Sequence, residues 1–141
     1  MKRVVLDASA ALAWMLPTQA TPAAARLLDQ SNDLIFEAPD IFAWEVRNVL
    51  LTMDRRGVLA IGEYEEALAI YDDLRVSLSP PVFEIDRLAI LARQARLSLF
   101  DTSYLALALE RDWALASRDE ALLTVAKAAG VECYDLRMAT S

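Results

Sequence analysis

The chain reads as an α/β protein built on a parallel sheet flanked by helices, and three observations lead there. Short apolar β-like runs alternate with longer stretches whose apolar residues recur at helical spacing, the pattern of parallel strands joined by helical crossovers. Hydrophobic residues make up 56% of the 141 residues and there are only three glycines, which suits a helix-rich globular chain. Acidic residues also stand at the ends of several apolar runs, where open α/β sheets bind ligands. The length suits one compact domain, residues 1–141, and leaves no room for a second.

Taken in order, Arg3 to Leu6 is the first strand and ends at Asp7. A short helix spans about Ser9 to Leu16 and stops before Pro17. Thr21 to Gln30 is rich in alanine and leucine, with Thr21 suited to the N-cap and Pro22 to the first turn. Leu34-Ile35-Phe36 is a second strand, closed by Pro39. A third helix runs from about Asp40 to Arg55 and ends before Gly57. Phe42, Val46, Val49, Leu50 and Met53 form its apolar stripe, and Glu45, Asn48 and Thr52 lie on a neighbouring one. Gly62 to Arg75 is amphipathic, its acids a solvated face. Val76-Ser77-Leu78 is a short strand ahead of the break at Pro80-Pro81. Helices follow over Glu84 to Leu97 and Asp101 to Arg111, then a buried strand over Trp113 to Ala116. A helix from Glu120 to Ala129 is stopped by Gly130, and Val131 to Tyr134 is the last strand.

Composition narrows the chemistry. Histidine is absent, which excludes Ser-His and Cys-His nucleophile pairs and most zinc sites. The single cysteine, Cys133, permits neither an internal disulfide nor a thiolate zinc site and is consistent with a cytoplasmic setting. The net charge of −7 argues against nucleic-acid binding. Two features soften that objection. Lys2 and Lys127 are the only lysines, so the remaining basic residues are arginines, the bidentate phosphate binders. Bound divalent ions would also cancel negative charge locally. Lys2-Arg3 followed by apolar sequence is reminiscent of a secretory signal, but Asp7 interrupts it and Val4-Val5-Leu6 reads better as a strand. No stretch has the length of a membrane span.

Four carboxylates carry the functional reading: Asp7, Glu45, Asp101 and Asp119. Each has an ordinary role available. Asp7 ends a strand, although a charge directly after Val-Val-Leu is costly unless it is used. Glu45 is a helical glutamate whose neighbours Trp44 and Val46 suggest partial burial. Asp101 is a natural N-cap. Ser117-Arg118-Asp119-Glu120 matches the S-x-x-E capping box, so Ser117 caps the next helix and leaves Asp119 free. If the fold gathers the four, their repulsion is relieved by protonation or by cations, and a hard ion such as Mg²⁺ prefers carboxylate oxygens. The expectation is metal-assisted chemistry on phosphate.

The ordered pieces resemble the PIN-domain family, and within it the VapC-type toxins of bacterial toxin–antitoxin pairs. They are Val4-Val5-Leu6-Asp7-Ala8-Ser9, Ala38-Pro39-Asp40 leading to Glu45-Val46-Arg47-Asn48, Asp101-Thr102-Ser103-Tyr104-Leu105-Ala106-Leu107-Ala108, and Ala116-Ser117-Arg118-Asp119. The resemblance implies a PIN-like parallel sheet flanked by helices and a metal-dependent endoribonuclease in which Asp7, Glu45, Asp101 and Asp119 hold Mg²⁺ or Mn²⁺. A metal-activated water would cut the phosphodiester to leave a 5′-phosphate. Ser9 and Ser117 match small hydroxyl positions near the metal, with serine at Ser117 where the family commonly has threonine, and Asn48 matches a polar position beside the glutamate. Arg47, Arg55, Arg56 and Arg118 are candidates for RNA backbone contact, although Arg55 and Arg56 also suit a helix C-terminus. The implied partners are an RNA substrate, a small cognate antitoxin and a second copy in a homodimer, in the cytoplasm and without a membrane.

Two other readings compete. One is a non-catalytic PIN-fold binding module. The other is an acidic-pocket phosphotransfer or phosphatase domain. A haloacid-dehalogenase-like phosphatase needs a second aspartate where Ser9 stands, and a receiver needs a late lysine, for which only Lys127, within a helix, is available. No glycine-rich phosphate loop is present.

Overall fold

In a computed structural model of the chain, which describes residues 1–137, five strands form one all-parallel sheet. They are β1 (Lys2–Leu6), β2 (Leu34–Pro39), β3 (Ser77–Ser79), β4 (Ala114–Ser117) and β5 (Cys133–Asp135), in the spatial order β3-β2-β1-β4-β5. The helices are α1 (Ala8–Met15), α2 (Pro22–Asp29), α3 (Ile41–Arg55), α4 (Glu63–Leu74), α5 (Ile85–Ala95), α6 (Leu99–Arg111) and α7 (Glu120–Ala128). This is the α/β parallel sheet flanked by helices that the alternation of patterns implies.

The central strands are apolar because both of their faces are covered. Val4, Val5 and Leu6 of β1 and all of β4 are buried. From β1 the chain steps outward to β2 and β3, then returns to β4 on the other side of β1 and ends at β5. Right-handed crossovers therefore put α1 to α4 on one face and α5 to α7 on the other. The packing agrees: α1 meets α2, α3 and α4, while α6 meets α5 and α7. The order reverses between β1 and β4, and the crevice at the carboxyl ends of those two strands is the switch point at which such sheets bind ligands. The pairing Leu6↔Ala116 continues one residue further, with the Asp7 amide donating to the Ala116 carbonyl at 3.3 Å.

Several local expectations hold. Thr21 caps α2, its hydroxyl accepting from the Ala24 amide and donating to the Leu136 carbonyl. Phe42, Val46 and Leu50 are the fully buried stripe of α3. Other expectations are corrected. The second strand does not stop at Phe36 but continues to Pro39, because Glu37 is buried and paired with Arg3 of β1 while residues 37–39 pair with β3. Glu45 is half-buried as expected, beside buried Val46, but Trp44 does not cover it, being 81% exposed. Asp101 is not the N-cap of its helix. Ser98 is, accepting from the Asp101 amide at 3.0 Å, and α6 starts at Leu99. Ser117 does not cap α7. Asp119 does, its Oδ1 accepting from the Leu122 amide at 3.1 Å.

Candidate active site

Asp7 is the anchor of the site. It follows β1 directly and turns the chain into α1, whose N-cap it is. Its Oδ1 accepts from the Ala10 amide at 2.9 Å and from the Ser9 hydroxyl at 2.7 Å, and its Oδ2 accepts from the Ser117 hydroxyl. Only 3% of Asp7 is exposed. Burial raises its carboxyl to about 6 and the charge of Asp101 adds to this, against the lowering effect of Ser117, Ser9 and the Ala10 amide. Three donors therefore do not compensate for lost solvation at this position.

The two serines are fixed at the same time. The Ser117 oxygen accepts from the Asp119 amide at 2.9 Å while its proton goes to Asp7. The Ser9 oxygen accepts from the Arg118 amide at 2.9 Å while its proton also goes to Asp7. A hydroxyl has one proton and two lone pairs, so each serine orients a backbone amide and the carboxylate together. The turn after β4 is thus tied to the turn after β1.

Asp101 lies on the third residue of α6, half-buried. Because Ser98 takes the cap, its carboxylate is free of that duty. Burial raises its carboxyl above the usual carboxylate range, and Asp119 and then Glu45 raise it further, with Ser98 opposing. Asp101 is therefore within electrostatic reach of the other three acids: Asp119 and Glu45 act on it, and it acts on Asp7. Glu45, in the first turns of α3, accepts from the Tyr104 hydroxyl at 2.7 Å. Tyr104 is fully buried, and burial with Glu45, Asp7 and Asp101 around it pushes its phenol up, so it remains a protonated donor. Tyr104 is a site residue that the motif reading quoted but did not single out. Its signal was its position three residues after Asp101, which sets both side chains on one face of α6.

The remaining candidates divide. Ser9, Ser117 and Arg118 join the acids. Asn48 is exposed one turn beyond Glu45 and hydrogen-bonds none of them among the described residues. Arg47 lies over the Tyr71 ring, 4.6 Å from its centroid, and donates to the Ala43 carbonyl at 3.0 Å. Arg55 contacts the Thr52 hydroxyl at 3.4 Å, and Arg56 is the exposed C-cap of α3.

The donor chemistry fits a hard divalent cation: the candidate donors are carboxylate oxygens, two of the acids carry raised pKa values, and their neighbours among the acids are part of the cause. Among the described residues no three acids are drawn together into a chelating group. A cation held here would take one or two of these carboxylates directly and complete its shell with water, as Mg²⁺ can.

With that geometry in view, the chain can be compared with known proteins. PAE2754 from Pyrobaculum aerophilum superposes with a TM-score of 0.69 at 20% identity, covering 94% of this chain and 84% of that chain. FitAcB from Neisseria gonorrhoeae gives 0.56 at 17% identity, over 94% of this chain and 96% of that one. FitAB bound to an IR36 DNA fragment gives 0.58 at 17% identity, over 98% of each. No curated protein matches significantly in sequence. A family model described as PIN domain matches residues 4–128, a stretch that contains Asp7, Glu45, Asp101 and Asp119. The chain belongs to the PIN-domain family.

Proposed function

We propose that the protein is a Mg²⁺- or Mn²⁺-dependent endoribonuclease of the VapC type, the toxin of a toxin–antitoxin pair, working in the cytoplasm as a single PIN-like domain. One observation carries the reading: a nearly fully buried Asp7 whose two oxygens are fixed at the switch point by Ser9, Ser117 and the Ala10 amide, while burial and Asp101 raise its carboxyl. A carboxylate buried there costs stability in the metal-free chain, a cost that a bound cation would offset. Family membership supports a nuclease.

In this reading Asp7, Glu45, Asp101 and Asp119 hold the cation. A bound divalent cation eases the loss of a proton from attacking water and offsets charge on the phosphate. The chain's own residues supply the positioning. Ser9 and Ser117 lock both oxygens of Asp7 on one side of the crevice, and Tyr104 aims Glu45 from the floor. The Ser98 cap keeps the Asp101 carboxylate available, and Asp119 gives one oxygen to its own helix and keeps the other. Exposed apolar side chains, including Trp44, Ile61, Ile85 and Phe100, support a chain that covers surface in a homodimer and with an antitoxin.

The test is cleavage of a structured RNA pool by antitoxin-free protein in Mg²⁺ or Mn²⁺. Cuts bearing 5′-phosphates that vanish in EDTA and in Asp7→Asn are expected. Cutting that persists in Asp7→Asn, or no cutting at all, would overturn the reading.

A further inference from the structure

Arg118 stands between Ser117 and Asp119 in the turn from β4 to α7. Its backbone is held at the site through the Ser9 hydroxyl, at 2.9 Å. Among the described residues its side chain, like those of Arg47, Arg55 and Arg56, forms no ion pair, although the chain carries a net charge of −7 and Asp119 follows it in sequence. Its one side-chain hydrogen bond runs from Nη1 to the amide oxygen of Gln19, at 2.6 Å. Its Nε is buried and has no partner, the only such side-chain atom among the described residues. A buried guanidinium N–H without an acceptor is costly, and a native site that keeps one calls for an explanation.

Gln19 supplies part of that explanation. It ends the short 3-10 turn Pro17–Gln19, its amide donating to the Leu16 carbonyl at 3.0 Å, while the Ala20 amide closes on Pro17 at 3.2 Å. Pro17 presets the first φ of that turn. A neutral acceptor orients the guanidinium without cancelling its charge, whereas a glutamate there would lock it in an ion pair. The result is a guanidinium oriented by a neutral partner and with donors to spare, on a turn whose backbone is tied to Asp7 through Ser9.

We propose that Arg118, oriented by Gln19 as its positioning residue, binds a non-bridging oxygen of a substrate backbone phosphate next to the acids. The ligand class is a phosphodiester chain recognised by charge and by the guanidinium fork. This rests on the nuclease reading and adds to it the residue that offsets acid–phosphate repulsion.

The test uses a fluorescein-labelled single-stranded RNA, with binding followed by anisotropy in Mg²⁺ across a salt series on an Asp7→Asn background, and cleavage kinetics on the otherwise wild-type chain. Arg118→Gln should weaken binding about tenfold and make the log–log salt slope shallower by about 0.7, the loss of one phosphate contact on a single strand. The kinetic loss should appear in KM more than in kcat. Gln19→Glu should match Arg118→Gln, and Gln19→Leu should fall between it and the parent. An unchanged salt slope in Arg118→Gln, even with a lowered unfolding temperature, would make the arginine a structural strut and overturn the proposal. So would parental binding in Gln19→Glu. Cutting with an unmoved slope sinks the Arg118 phosphate contact alone, and a moved slope in a protein that cuts no RNA sinks the nuclease reading alone.

Discussion

Asp7 keeps its charge at a position where water is nearly excluded, and three hydrogen bonds do not restore what is lost. Its carboxyl stands at about 6 in the folded chain, against about 3.9 for an unfolded aspartate. The folded state thus holds this proton more tightly than the unfolded state does. Its contribution to stability is fully present below about pH 4 and is lost as pH rises through about 6. At neutral pH the charge costs about 3 kcal/mol by the same relation. Asp7→Asn should therefore stabilise the metal-free protein at pH 7 by about 1–3 kcal/mol, less whatever its altered hydrogen bonding gives back. Urea unfolding at pH 5 and pH 7 reads this directly: the gap between variant and parent should be larger at pH 7. Tyr104→Phe removes the donor to Glu45 while keeping the ring. It should cost about 1 kcal/mol of stability and lower cleavage about tenfold at saturating Mg²⁺. Asp7 was legible because an acid after Val4-Val5-Leu6 conflicts with its surroundings. Tyr104 was not, because a tyrosine inside an apolar helix looks like core until its hydroxyl is seen to reach Glu45.

At the scale of elements, the two acid-bearing helices exchange the roles that local sequence suggests. Asp101 resembles a cap, but Ser98 takes that place and leaves the carboxylate to the crevice. Ser117 resembles a cap, but Asp119 takes it and leaves the serine to Asp7. Both alternatives satisfy the same orphan amides, so local patterning cannot choose between them. The choice is made by tertiary neighbours: Ser117 lies on β4 directly beside the end of β1. The same kind of limit hid the end of β2, where a strand of Leu34-Ile35-Phe36 extends through Glu37 because Arg3 pairs with that acid across the sheet. Ser98→Ala should cost about 1 kcal/mol by chemical unfolding, as should Thr21→Ala at the start of α2. Cleavage by the folded proteins should separate them. Ser98→Ala loosens the turn carrying Asp101 and should cut more slowly, while Thr21→Ala should cut as the parent does.

At the scale of the whole molecule, one topological fact positions the site. The strand order reverses between β1 and β4, so the turns after them face each other across the carboxyl edge, and α3 and α6 bring Glu45 and Asp101 to the same place. Strand order is not written in any one segment, yet alternating patterns with right-handed crossovers leave few arrangements to choose from. The surface is less legible. Trp44 looked like a shield for Glu45 and is instead exposed, because an apolar residue in a helix does not declare which partner covers it.

The measurement that bears most directly on the carboxylate group as a cation site is the unfolding temperature of wild type and Asp7→Asn at pH 7.5, without metal and across a Mn²⁺ titration. A ligand at 100 times its Kd stabilises by about 2.7 kcal/mol, which comfortably registers in a domain of this size. The predicted result is a crossing: without metal Asp7→Asn unfolds at the higher temperature, and with Mn²⁺ the wild type overtakes it because only the wild type responds strongly. Equal Mn²⁺ shifts in the two proteins, with the variant the less stable in metal-free buffer, would contradict it and leave Asp7 as an ordinary structural carboxylate.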